Sequence, residues 1–155
     1  MPSGQLDARV KEFVAARDLA GAPYRRDFAN GHITYADLAD GGRLGYLRIS
    51  GFGGYLADEK ASYAAQLAEL ERALNTVLTP ERSRHLHGLI IDLRINGGGS
   101  DALGIHIAER LTGSGRTFDG TGIPPEVSVP VFTEEEFGEG RDSGFDRAVH
   151  AMARR

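Results

Sequence analysis

The stretch Gly88-Leu89-Ile90-Ile91-Asp92-Leu93-Arg94-Ile95-Asn96-Gly97-Gly98-Gly99-Ser100 decides how the rest of the chain is read. The apolar run ending in Asp92-Leu93-Arg94 reads as a strand covered on both faces, the usual state of a strand in a parallel sheet. Three glycines then let the backbone approach a ligand closely. The N–H groups of this turn, and of a helix opening near Asp101, point toward negative charge. Gly97, Gly98 and Gly99 are therefore the first candidate site, as an oxyanion hole or a cradle for a peptide carbonyl. The plainer alternative is a turn that only steric necessity has made glycine-rich.

Working outward, Leu103, Ile107 and Leu111 recur every four residues and predict a helix from Asp101 to about Leu111 that faces the sheet. Upstream, Ala61, Leu67, Leu70, Leu74, Val77 and Leu78 predict a helix from about Asp58 that Thr79-Pro80 stops. His32 to Leu38 reads as an alternating strand, Asp40-Gly41-Gly42 as a tight turn and Leu44 to Ile49 as the hairpin partner. At the start, Ser3 caps a helix with Leu6, Val10, Phe13 and Val14 on one face, ended by Gly21-Ala22-Pro23. Beyond a polar loop from Gly113 to Thr121, Val127 to Val131 reads as a short strand in the same sheet as Leu89 to Leu93. Thr133 and Glu136 form a capping-box pattern, and a last helix from Asp142 buries Phe145, Val149 and Met152. Strands alternating with helices make this an α/β chain. The expected organisation is a helical segment and linker over residues 1–31, followed by an α/β core over 32–155.

The 155 residues fit one domain, and 41% hydrophobic with 26% charged residues is ordinary globular composition. A formal charge of -4 argues against a general nucleic-acid binder, whose footprint is basic. The absence of cysteine excludes disulfides and thiolate-ligated zinc without choosing a compartment. The start of the chain lacks a basic segment followed by an apolar one, and no run approaches the ~20 apolar residues of a membrane span. The expectation is a cytoplasmic chain, with export of a longer precursor left open.

The residues Asp92-Leu93-Arg94-x-Asn96-x-Gly98-Gly99 resemble the core motif of the tail-specific (C-terminal processing) serine peptidases. That family includes the tricorn protease core and the modules of interphotoreceptor retinoid-binding protein. Gly45-Tyr46-Leu47-Arg48-Ile49-Ser50-Gly51-Phe52 is similar to the family's strand before the substrate-side loop. Gly122-Ile123-Pro124-Pro125-Glu126-Val127-Ser128-Val129 resembles its later strand entry, and Asp142 to Ala148 its terminal helix. The resemblance runs from about Ile33 onward. It implies a crotonase/ClpP-like core, a serine peptidase ancestry, an extended peptide or unfolded segment as partner, and a substrate-side loop at Phe52 and Tyr55. Packing of Phe52 beneath its own loop is the alternative there.

One part of the family pattern is absent. The family's nucleophile lies in a Ser-Ala-Ser or Ser-Ala-x-Glu context beyond the helix that follows the glycine turn. Here the chain passes from Leu111 through Thr112 to Thr121 directly into Gly122-Ile123-Pro124, leaving no room for that strand and helix. Of the 18 basic residues only Lys11 and Lys60 are lysines, and neither follows such a turn. No catalytic residue is therefore assigned, and the chain is expected to be inactive on its own. A non-catalytic peptide- or protein-binding module is the competing reading. Loss of a strand and helix also leads us to expect a homo-oligomer or an exposed apolar patch.

The remaining motifs read more simply. Ser100 is an N-cap rather than a nucleophile, because His106, six residues on along the helix, lies away from its face. Gly97-x-Gly99-x-x-Ala102 satisfies a loose dinucleotide pattern, but Asp119 falls in a loop instead of at a strand end. Asp92 and Arg94 share a strand face and are expected to pair and fix the glycine turn. His85-x-His87 has no third ligand beside it, so a solvated loop is expected and neither metal nor cofactor is predicted.

Overall fold

The computed structural model describes residues 3–38, 43–112 and 129–153. Its strands are β1 (Tyr24–Phe28), β2 (Ile33–Asp37), β3 (Leu44–Ile49) and β4 (Gly88–Asp92), in the order β1-β2-β3-β4 among the described residues. The first three pair antiparallel, whereas β3 and β4 run parallel with Tyr46 opposite Ile90 and Arg48 opposite Asp92. The helices are α1 (Ser3–Ala16), α2 (Tyr63–Val77), α3 (Pro80–His85), α4 (Asp101–Thr112), α5 (Glu134–Glu139) and α6 (Ser143–Ala153). A parallel pair needs a crossover, and α2 with α3 supplies it.

Both faces of β2 and β3 are covered, but β4, expected to be covered on both faces, is not, because Ile91 is 43% exposed at the edge of the sheet. Ile33, Tyr35, Leu47 and Ile49 pack with Leu70, Leu74 and Val77 of α2 and Leu103 and Ile107 of α4. Ala36, Leu44, Tyr46 and Ile90 point the other way, onto Val10 and Val14 of α1 and Phe145 of α6. The structure is thus a mixed α/β fold in three layers. All six residues of β3 are buried, as are Ile33 to Ala36 of β2. The alternating strand expected over His32 to Leu38 is accordingly corrected, since a strand under helices on both faces has no polar side.

Other boundaries also shift. β1 forms where the sequence reading places a linker, because Arg25, Arg26 and Asp27 are exposed and leave no apolar alternation to read. α2 starts at Tyr63 rather than Asp58. The Ser62 hydroxyl accepts from Ala65 N at 3.3 Å, while Asp58 closes its own turn with Lys60 N at 2.9 Å. α1 ends at Ala16, and a tight turn with Leu19 N donating to Val14 O at 3.0 Å brings Asp18 and Leu19 inward.

The strand expected over Val127 to Val131 begins in residues 127 and 128, which, like the Asp40-Gly41-Gly42 turn, lie outside the described residues. Val129, Pro130 and Val131 form no strand, consistent with a proline that has no N–H for a ladder. The capping box at Thr133 and Glu136 forms, and Asp142 caps α6 by accepting from Phe145 N at 2.8 Å. No helix of the described residues is long and apolar enough to cross a membrane.

Candidate functional site

The end of β4 and the start of α4 are joined by the glycine turn, and Asn96 holds that turn in place. Its Nδ2 donates to Ile49 O at 3.0 Å at the end of β3, while its Oδ1 accepts from Gly98 N at 2.7 Å. Gly97 N donates to Ser50 O at 3.2 Å, Phe52 N to Gly98 O at 2.8 Å, and Ser100 N to Phe52 O at 2.7 Å. The last two bonds make Phe52 and Gly99 an isolated parallel bridge, as if β3 and β4 resumed pairing beyond the turn. Gly98 (φ 85) and Gly99 (φ 136) adopt backbone that other residues rarely tolerate.

The three glycine N–H groups are therefore not equivalent. Those of Gly97 and Gly98 are occupied by Ser50 O and Asn96 Oδ1. The bridge turns the N–H of Gly99 away from Phe52, and among the described residues it meets no acceptor. Gly99 is exposed, so one N–H is presented to solvent beside the N-terminus of α4.

The neighbouring loop is ordered by the same contacts. The Phe52 ring lies against Gly104 in the first turn of α4, where a Cβ would come within 3.2 Å of Phe52 Cδ2. Tyr55 is 1% exposed and donates its hydroxyl to Gly51 O at 3.1 Å, so it supports the loop from within. Burial pushes that phenol up to about 12. Beneath the loop Ser50 Oγ lies 3.2 Å from His32 Nδ1, and burial holds His32 below the ordinary imidazole range.

Asp92 and Arg94 pair as expected, with Arg94 Nη2 2.7 Å from Asp92 Oδ2. Asp92 Oδ1 also accepts from Arg94 N at 3.0 Å, but among the described residues neither side chain bonds Gly97, Gly98 or Gly99 directly. Arg94 Nη1 reaches both oxygens of Asp142 at 2.6 Å and so clamps the end of β4 to the start of α6. Tyr46 donates to Asp92 Oδ2 at 2.6 Å. Burial alone would raise Asp92, but the hydrogen bonds and charge of Arg94, with Tyr46, hold it below the usual carboxylate value. The signal for Asn96 as the true turn holder was present in the motif, since its amide supplies both a donor and an acceptor.

The side chains of Ser100 and His106 are engaged elsewhere. Ser100 Oγ accepts from Leu103 N at a long 3.5 Å at the start of α4. His106 is bonded to Glu71 of α2. Lys60 sits in the Asp58 turn, and His85 Nδ1 is 2.9 Å from Glu81 O at the end of α3. Among the described residues no three His, Asp or Glu side chains gather as a metal site requires. Asp119, needed by the dinucleotide pattern, lies outside the described residues.

The profile of peptidase family S41 matches residues 43–121, which carry β3, α2, α3, β4, the glycine turn and α4. The match is narrower than the resemblance read from about Ile33 onward, and the blocks at Gly122 and Asp142 lie beyond it. No curated protein and no solved structure gives a match. The matched residues are those that build the turn and its supports, and the chain belongs to peptidase family S41.

Proposed function

We propose that this chain is a peptide-binding member of the family that does not hydrolyse peptides by itself. An extended peptide lies along the free side of β4 and gives one carbonyl to Gly99 N–H. The observation that carries the reading is an N–H at Gly99, in the turn after β4, that meets no acceptor among the described residues, beside a strand whose other edge has no partner among them. Main-chain pairing of this kind needs no nucleophile. Exposure of Ile91 and Leu93, at 43% and 47%, supplies apolar contact for the peptide's side chains.

The parallel β3–β4 pair with its crossover and the α4 N-terminus at the turn support a shortened crotonase/ClpP-like arrangement of the tail-specific type. A single oxyanion donor stabilises charge only when a nucleophile attacks nearby. Ser100, the serine closest to it in sequence, caps α4 instead.

Three measurements on the purified chain test this. Fluorescein-labelled unfolded casein is titrated by anisotropy with amide hydrogen exchange followed in parallel, and a fluorophosphonate probe is applied to detect an activated serine. The expected result is saturable binding, slowed exchange at Gly99 and β4, no labelling and no cleavage. Covalent labelling of Ser100 or Ser50 with turnover of the casein overturns the reading in favour of an active peptidase. Absence of binding removes the module reading altogether.

A further inference from the structure

Where β4 begins, a cavity of about 330 Å³ opens between α3 and the C-terminal ends of α2 and α4. Leu78, Leu86, Leu89 and Leu111 give it an apolar lining, Ser83 stands in its wall from α3, and Arg110 of α4 is its charged member. Leu78, Leu89 and Leu111 are only partly buried and edge the core on the face that α2 and α4 cover. Leu86 and Leu89 lean toward β3 because Gly45 leaves room for them there. A Cβ on Gly45 would lie 3.3 and 2.9 Å from their Cδ1 atoms.

Leu89 belongs both to this cavity and to β4, the strand whose free edge receives the peptide. A residue added opposite Leu89 directs its side chain to the same face of the sheet, about 5 Å from that of Leu89 and toward the cavity. Two residues along in one direction, the next side chain on that face meets the exposed Ile91. Two residues along in the other, it passes the start of β4 toward the end of α4, where Arg110 lies. The Arg110 side chain is 36% exposed and within reach of a ligand. Its Nη2 donates to Asn75 Oδ1 at 2.5 Å, and its Nε stands 3.7 Å from Glu71, an acid that also bonds His106. No acidic residue lines the cavity among the described residues, so a carboxylate is favoured there over an ammonium.

We propose that this cavity is the specificity pocket of the β4 site, taking one large apolar side chain such as Phe from within an extended peptide, with an acidic residue two positions away at Arg110. The inference rests on peptide pairing along β4. Main-chain bonds to an edge strand serve any sequence, whereas a pocket for an alternate side chain selects among sequences.

The probes are the peptide Asp-Thr-Phe-Thr-Val-Thr-Val and the same residues in reverse order, fluorescein-labelled at the N-terminus, amidated at the C-terminus and titrated into the intact chain by anisotropy. At least one order is expected to bind. Exchanging its Phe for Ala should weaken binding about tenfold or more, the value of burying one aromatic side chain. Exchanging its Asp for Lys should weaken binding severalfold, and Arg110→Glu should reverse that preference. Ser83→Trp, which fills the cavity from the exposed side of α3, should bring the Phe peptide to the level of the Ala peptide and leave the latter unchanged. Equal binding of the Phe and Ala peptides overturns the pocket while pairing at β4 stands, and so does a Phe preference that survives Ser83→Trp. A preference for Asp over Lys that Arg110→Glu does not move overturns the place given to the acid. If no peptide binds in either order, pocket and pairing fall together.

Discussion

Phe52 and Gly99 are bonded as though each extended a strand, with Ser100 N donating to Phe52 O at 2.7 Å and Phe52 N to Gly98 O at 2.8 Å. The loop after β3 and the turn after β4 thereby become one unit, and Gly99 is the residue whose lack of a side chain permits it.

A Cβ on Gly99 would sit 2.7 Å from the Phe52 carbonyl carbon, at a φ of 136°. Gly99→Ala should therefore break the bridge and cost about 2 kcal/mol or more, within the range of a strained backbone position that also clashes. Gly97 has open space around it and no positive φ, so Gly97→Ala should change stability by less than about 0.5 kcal/mol. Urea unfolding of the two variants gives the comparison, and equal losses would show that the bridge is not what constrains the turn.

Asn96 contributes a donor and an acceptor, so the two can be separated. Asn96→Ala should cost about 1–3 kcal/mol by leaving Gly98 N and Ile49 O without their partner. Asn96→Asp keeps the acceptor for Gly98 N and should lose less. If the two variants unfold at the same urea concentration, only the bond to Ile49 O matters.

Ser100→Ala should lower stability modestly and leave no catalytic signature. Loss of an N-cap serine costs about 0.5–2 kcal/mol, and the long 3.5 Å bond places this one at the low end. Thermal unfolding measures the first part. Cleavage of unfolded casein by the native chain that disappears in this variant would overturn the second.

Arg94→Ala should be the most damaging of these substitutions, because Asp92 and Asp142 are 5% and 2% exposed and would both lose their cation. Breaking a buried pair from one side costs about 3–5 kcal/mol. Loss of cooperative unfolding by circular dichroism is the expected result, and a variant as stable as the native chain would show that water reaches these carboxylates freely.

The pH dependence of stability follows from opposite shifts. Asp18, raised by burial to about 7, holds its proton in the folded chain while the unfolded carboxyl has lost it above about 4. The folded state then binds more protons, so this group makes stability fall as pH rises from about 4 to 7, and level off above that. Asp92 is shifted the other way, and its contribution is present above about 4 and lost as pH falls through its folded value. His32, lowered mainly by burial, contributes stability that is lost as pH falls below about 6.5. The difference between native and Asp18→Asn unfolding curves isolates the first contribution. It should change between about pH 4 and 7 and be flat above about pH 8.

Local chemistry made much of this chain legible before any coordinates. Thr133 starts a helix because its hydroxyl finds an N–H three residues on, a relation confined to one turn, whereas Ser62 and Thr79 cap in the same way at a start that the spacing reads at Asp58 and at a helix, α3, that the sequence reads only as a stop. The apolar spacing of Leu103 and Ile107 located α4, and the glycines after β4 located the turn. What only the tertiary structure decided depends on residues far apart in the chain. That Arg94 clamps Asp142, and that Gly97 and Gly98 donate their N–H groups to Ser50 and Asn96 while that of Gly99 meets no acceptor among the described residues, follows from where β3, β4 and α6 meet. That Asp18 is buried beside a cavity follows from the turn after α1 and the packing of α6. Sequence spacing determines which side chains share one face of one element, whereas hydrogen-bond partners across elements are set by packing.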